Sequence, residues 1–172
     1  ESWSDSGGGS NCARFNLGVA LGRAGDTARG RQCLEQVGTL QAANEEQASL
    51  RDRANLALGF ALLQQPGGAD PAAVLSRVRL DGPFTNKALL ALGWAETNAN
   101  RPDRALVPWL ELQQRRLLDA SVQESLIAVP YAYVKLASNG QASEHYRSAV
   151  DAYARESRRI DESIAAIRQG GF

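Results

Sequence analysis

The chain has 172 residues, 44% of them hydrophobic, and its 19 basic and 19 acidic side chains leave a formal net charge of 0. That length suits one domain with a real core, and the charge balance argues against a sequence-independent grip on nucleic acid, which needs a basic excess. No apolar run approaches the roughly 20 residues of a membrane-spanning helix, and the abundance of Ala, Leu, Arg and Gln over Val and Ile favours helices over strands.

In chain order, residues 1–10, ESWSDSGGGS, read as a flexible polar tail. Its glycines are not a phosphate loop, because the Lys-Ser/Thr pair that would hold phosphate and metal is missing and no strand precedes them. The chain starts at Glu1 and contains no Met, as a processed or excised piece would. With few cysteines besides, this leans the reading to a bacterial periplasm or envelope over the cytoplasm. Cys12 and Cys33 read either as two small buried thiols or as a disulfide between neighbouring helices, which would need an oxidising compartment.

Helical patterns then follow one another. After a first run around Gly18, the stretch Gln36–Glu46 either lengthens a helix or loops near Asn44. Gln64-Gln-Pro-Gly-Gly68 marks a turn, after which Asp70 caps a helix with Pro71 in its first turn. The break at Asn100-Arg101-Pro102 separates two runs that each carry a Trp, with Asn100 read as the cap of the second. Ser121-Val-Gln-Glu124 reads as a capping box opening the next helix. Finally Tyr146, Val150, Tyr153, Ser157, Ile160, Ile164 and Ile167 recur at alternating steps of four and three, a seam of period 3.5 in a long helix from about Ala142 to Arg168.

Four of these runs share one spacing. Leu17-Gly18, Leu58-Gly59, Leu92-Gly93 and Val129-Pro130 mark anchors separated by 41, 34 and 37 residues. At fixed offsets beyond each come Gly30 and Leu34, Pro71 and Leu75, Ala105 and Trp109, and Ala142 and Tyr146. A glycine inside a helix costs about 0.5–1 kcal/mol against alanine. Three of them therefore need a shared reason, and close helix approach under Leu34, Leu75 or Trp109 supplies it.

The pattern resembles the tetratricopeptide repeat (TPR), a helix-turn-helix unit of 34 residues with a small residue facing a large one across the hairpin. The resemblance covers residues 11–153. Departures are Pro130 for a small residue, expected to kink its helix or alter the close contact, and Pro71 for the small residue opening a second helix. It implies an all-α fold, a right-handed superhelix of four antiparallel helix hairpins, extended by a C-terminal helix over 154–172. It also implies a concave face built from the first helix of each hairpin. Carried over by position, that face holds Cys12, Phe15, Val19 and Arg23, then Arg53, Leu56, Phe60, Leu63 and Gln64. It continues with Lys87, Leu90, Trp94, Thr97 and Asn98, then Glu124, Ile127, Tyr131, Val134 and Lys135.

The expected function is a non-catalytic protein–protein interaction scaffold, with a partner helix or apolar peptide laid on the central stripe. Arg53, Lys87, Glu124 and Lys135 are its rim, with Asn98 a further partner-binding position; a grip on a terminal carboxylate is disfavoured because the central positions are apolar. Alternatively these positions are ordinary inter-repeat core. The C-terminal seam of Tyr153, Ile160, Ile164 and Ile167 has three expected fates: capping the stack, homodimerising or continuing as a coiled coil, or folding back into the groove. The runs Gln113–Arg116 and Arg155–Arg159 and the lone His145 read as solvated helix faces. No Ser/His/Asp set, nucleotide loop or metal-ligand cluster appears, so no cofactor, no metal and no enzyme activity are expected.

Overall fold

The computed structural model describes residues 8–65 and 69–170. It holds α1 (Gly8–Arg23), α2 (Thr27–Gly38), α3 (Glu45–Gln64), α4 (Pro71–Leu75), α5 (Thr85–Asn98), α6 (Pro102–Gln113), α7 (Ala120–Lys135) and α8 (Asn139–Arg168), with no strand among the described residues. Consecutive helices pair as four hairpins. Helix α1 begins inside the stretch read as a tail, so Gly8–Ser10 are helical; the rest of that stretch, and the Pro66–Gly68 part of the Gln-Gln-Pro-Gly-Gly turn, lie outside the described residues.

The anchor glycines sit where the helices of a hairpin meet. A Cβ on Gly18 would stand 3.0 Å from both Gly30 O and Leu34 Cγ, and one on Gly30 would stand 2.8 Å from Gly18 O, so α1 and α2 touch backbone to backbone. A Cβ on Gly59 would run into the branched end of Leu75, and one on Gly93 into the Trp109 indole. Each large side chain is then covered from its far side by the first helix of the next hairpin. Leu34 packs with Ala54 and Leu58, Leu75 with Ala88 and Ala95, and Trp109 with Val129 and Ala132.

Three of the four hairpins turn in the same way. The residue after the helix end enters the left-handed region, with φ of 91° at Gly25, 59° at Asn100 and 56° at Ala137. The next N–H then reaches back five residues: Asp26 donates to Leu21 O at 3.0 Å, Arg101 to Glu96 O at 2.9 Å and Ser138 to Tyr133 O at 2.9 Å. Asn100 therefore stops α5 rather than capping α6, whose N-cap is Arg101. Asparagine is among the residues that tolerate positive φ, and that use outranks capping here.

One further start signal differs from the sequence reading. Asp119, not Ser121, caps α7, accepting from Ser121 N at 2.8 Å, and Ser121 is buried inside the helix. Asp70 caps α4 as expected, with its side chain on Ala72 N at 3.0 Å. Residues 39–44 form a loop and Asn44 caps α3, which settles the choice over Gln36–Glu46 in favour of the loop. Helix α7 runs unbroken through the buried Pro130. Cys12 is exposed and Cys33 half-buried, and both are free thiols.

Helix α4 has only five residues, and polar contacts stabilise this hairpin instead. The fully buried Asp52 carboxylate accepts from Arg79 Nε at 2.6 Å, and the same guanidinium grips Glu45 at 2.8 and 2.9 Å. The Glu45 carboxyl is held below its usual range by that hydrogen bond from Arg79, despite an opposing desolvation effect. Thr85 Oγ1 donates to Arg79 O at 2.8 Å and closes the loop onto α5. Arg115, read as part of a solvated run, instead clamps Asn86 Oδ1 at 3.0 Å and Leu80 O at 3.3 Å.

Gly93→Ala is expected to cost about 1–3 kcal/mol in urea unfolding, because the buried Trp109 ring cannot move away. Gly59→Ala should cost less, since the Leu75 end can rotate. Ala137→Gly is expected to raise stability by about 1 kcal/mol in the same assay by relieving the left-handed alanine.

Candidate partner-binding face

Helices α1, α3, α5 and α7 run side by side, because each packs against the hairpin before it and sends the same helical phase to the same side. The candidate positions recur at that phase. The structure brings the best-defined group together where α5 meets α7. Trp94 lies edge-on to Trp109, with centroids 4.9 Å apart, and tilted against Tyr131 at 5.8 Å. Its indole Nε1–H donates to Glu124 Oε1 at 2.8 Å. Lys135 Nζ stands 5.5 Å from the Tyr131 ring centre, within the range of a cation–π contact. The Trp94 ring is held on three sides: by Trp109, whose own Nε1–H donates to Leu90 O at 3.1 Å, by Tyr131 and by Glu124. Its remaining surface is half-open.

Along the stripe, Leu90, Trp94 and Tyr131 are half-buried, whereas Phe60 and Ile127 are exposed. Phe15 and Leu56 are buried and belong to the core, Phe15 with Leu34 and Val37, Leu56 with Leu75 and Val78. For those two positions the inter-repeat-core reading holds. Phe15 is covered by the residues of α2 and α3, and Leu56 by those of α4 and α5. The Arg53 guanidinium lies 4.7 Å over the Phe15 ring and closes it off. Val19, half-buried, lines a cleft of about 620 Å³ with Arg23 and Arg53.

At the rim, Arg53, Lys87, Asn98, Glu124 and Lys135 are all exposed. The sequence reading missed the indole–carboxylate bond from Trp94 to Glu124. Both had been placed on this face, but a cross-hairpin hydrogen bond leaves no trace in spacing. It also missed the stacking of Tyr133 on His145, centroids 5.1 Å apart, which makes that histidine half-buried rather than solvated.

Helix α8 continues unbroken to Arg168, so its second half does not turn back into the groove. Tyr153 hydroxyl donates to Gln123 O at 2.8 Å; burial, then the nearby Glu124 charge, raise its pKa. Beyond it Ile160, Ile164 and Ile167 are exposed and cover no part of the stack. Among the described residues no group of three His, Cys, Asp or Glu side chains stands as metal ligands would, and no helix is long and apolar enough to cross a membrane.

No protein-family model matches the chain, and no curated protein matches it. Solved structures do. One titled MamA MSR-1 C2 aligns over 86% of this chain and 98% of its own with a TM-score of 0.52 at 18% identity. A MamA mutant aligns over 82% and 96% with a TM-score of 0.51 at 21% identity. MamA AMB-1 aligns over 80% and 96% with a TM-score of 0.50 at 17% identity. At these identities the likeness is one of fold: the chain is an all-helical, TPR-like superhelix.

Proposed function

We propose that the chain is a non-catalytic protein–protein interaction scaffold that takes a partner helix or an apolar peptide on its concave face. The observation that carries this reading is the half-open Trp94, braced by Trp109, Tyr131 and Glu124 beside the exposed Ile127. A rigid aromatic with one free surface, set in a rim of polar groups, is the usual make-up of an interface hot spot. Because its neighbours already fix its rotamer, a partner loses little side-chain entropy on docking there.

The rim adds orientation. Arg53, Lys87 and Lys135 are cationic, while Glu124 is the one carboxylate among the rim positions and already accepts from Trp94. The matching partner therefore carries apolar residues with acidic ones at its flanks. Rim charges of this kind speed encounter and fix register more than they add affinity.

A photo-crosslinking residue at position 127 is expected to capture a discrete partner, while one at Val107, which is exposed on α6 away from this face, captures none. Trp94→Ala should weaken binding of that partner by about tenfold or more with the helical content unchanged. Equal capture from both positions, or undiminished binding by the Trp94 variant, would overturn the reading.

The exposed Ile160, Ile164 and Ile167 favour a second reading, a structural assembly module acting through the C-terminal heptad seam, either as a homodimer or as one strand of a longer coiled coil. Under it, Ile160→Asp with Ile164→Asp abolishes self-association or docking while Trp94→Ala does not. An unaltered mass and unaltered partner binding in the double variant would exclude it.

A further inference from the structure

The repeat contains a second regularity, which runs along the stack rather than across the concave face. The large residue of each second helix is a knob, and the next first helix supplies a socket of small and aliphatic residues at steps of four and three. The sockets are Ala54-Leu58-Ala61 on α3, Ala88-Leu92-Ala95 on α5 and Ser125-Val129-Ala132 on α7. Of these, Ala54 and Leu58 pack in one cluster with Leu34, Ala88, Leu92 and Ala95 with Leu75, and Val129 and Ala132 with Trp109; the three knobs keep 4%, 2% and 0% of their surface.

Both ends of the series are open. The same steps on α1 give Ala13-Leu17-Ala20, a complete socket with no knob on it among the described residues: Ala13 and Ala20 are exposed and Leu17 keeps 50% of its surface. At the other end Tyr146 is a knob with no socket. It keeps 41% of its surface and sits in a groove of about 570 Å³ with Val134, Ala142 and Val150. Val150 and Val134 are themselves exposed. A terminal solenoid face is usually polar, whereas these two described faces carry Leu17, Tyr146 and Val150.

We infer that the two ends pair between copies: the socket Ala13-Leu17-Ala20 of one chain seats on the Tyr146 knob of another. The contact would continue, between chains, the knob-and-socket interface that already joins α3, α5 and α7 to the hairpins before them. It needs no new geometry, since the spacing of the free socket is that of the occupied ones. The charged residues lining the groove, Arg147 and Asp151, are of opposite sign, so no like-charge barrier guards it. The distal half of α8 extends along its own helix axis beyond the groove and leaves it open.

A contact between two different surfaces is heterologous. It propagates head to tail instead of closing as a symmetric dimer. That property gives the test. Leu17→Glu disables the socket and Tyr146→Glu disables the knob; both side chains are exposed, so the fold survives, and circular dichroism verifies it. By analytical ultracentrifugation, the wild-type mass should rise with concentration past that of two chains, and each variant alone should stay at one chain. An equimolar mixture of the two variants should reach two chains and stop, because one intact socket and one intact knob remain between them. Ile160→Asp should leave the wild-type behaviour unchanged. A wild type that stays at one chain, a plateau at two chains, a mixture that stays monomeric, or loss of assembly in the Ile160 variant would each overturn the inference.

Discussion

The stack depends on one steric arrangement: a bulky side chain held between a glycine of its own hairpin and the small residues of the next first helix. Removing the Cβ at Gly93 lets the Trp109 ring lie against the α5 backbone, where its indole N–H finds the Leu90 carbonyl. The side chain then fills the space between three helices, and its complete burial stabilises both the hairpin and the junction to α7. Gly59 with Leu75 repeats the device. Gly18 with Gly30 takes it further, to direct backbone contact, which allows Leu34 to be smaller than its counterpart Trp109. The concave face follows from this, because the glycine that admits the knob also fixes the phase of each first helix.

The second hairpin departs from the pattern and shows what the others have in surplus. With α4 reduced to five residues, a buried carboxylate stands beside the apolar contacts that join α3, α4 and α5. A lone Asp52 there would be costly, but the Arg79 guanidinium meets it and Glu45 together, and Thr85 ties the backbone of Arg79 to the start of α5. Charge and hydrogen bonding thus add, in this hairpin, to the joining task that Leu75 performs here and Trp109 performs in the third.

Much of this was legible in the sequence, and the division is physical. The hairpins and their knobs were readable because glycine within a helix is costly and its recurrence at a fixed distance from Leu34, Leu75 and Trp109 demands a common cause. The candidate positions followed from helical phase, yet phase alone could not say that Phe15 and Leu56 would be buried while Phe60 and Ile127 stayed exposed; that depends on which side chains of the neighbouring helices reach over each one. The cap assignments failed at Asn100 and Ser121 because the same short polar side chains serve helix starts, helix stops and helix interiors, and only the backbone decides among them. The Asp52–Arg79 pair, 27 residues apart, leaves no periodic signature at all.

A chain built this way is close to a one-dimensional array, in which each hairpin feels only its neighbours. Cooperativity in such an array is only as long as its weakest junction allows, and local opening starts where apolar burial is least. The shortest helix, α4, stands at the second of these junctions. The ion pair of Asp52 and Arg79 therefore bears on more than local stability: by tying α3 to the loop after α4 it couples the amino-terminal hairpins to the carboxy-terminal ones, a coupling that amide exchange reads.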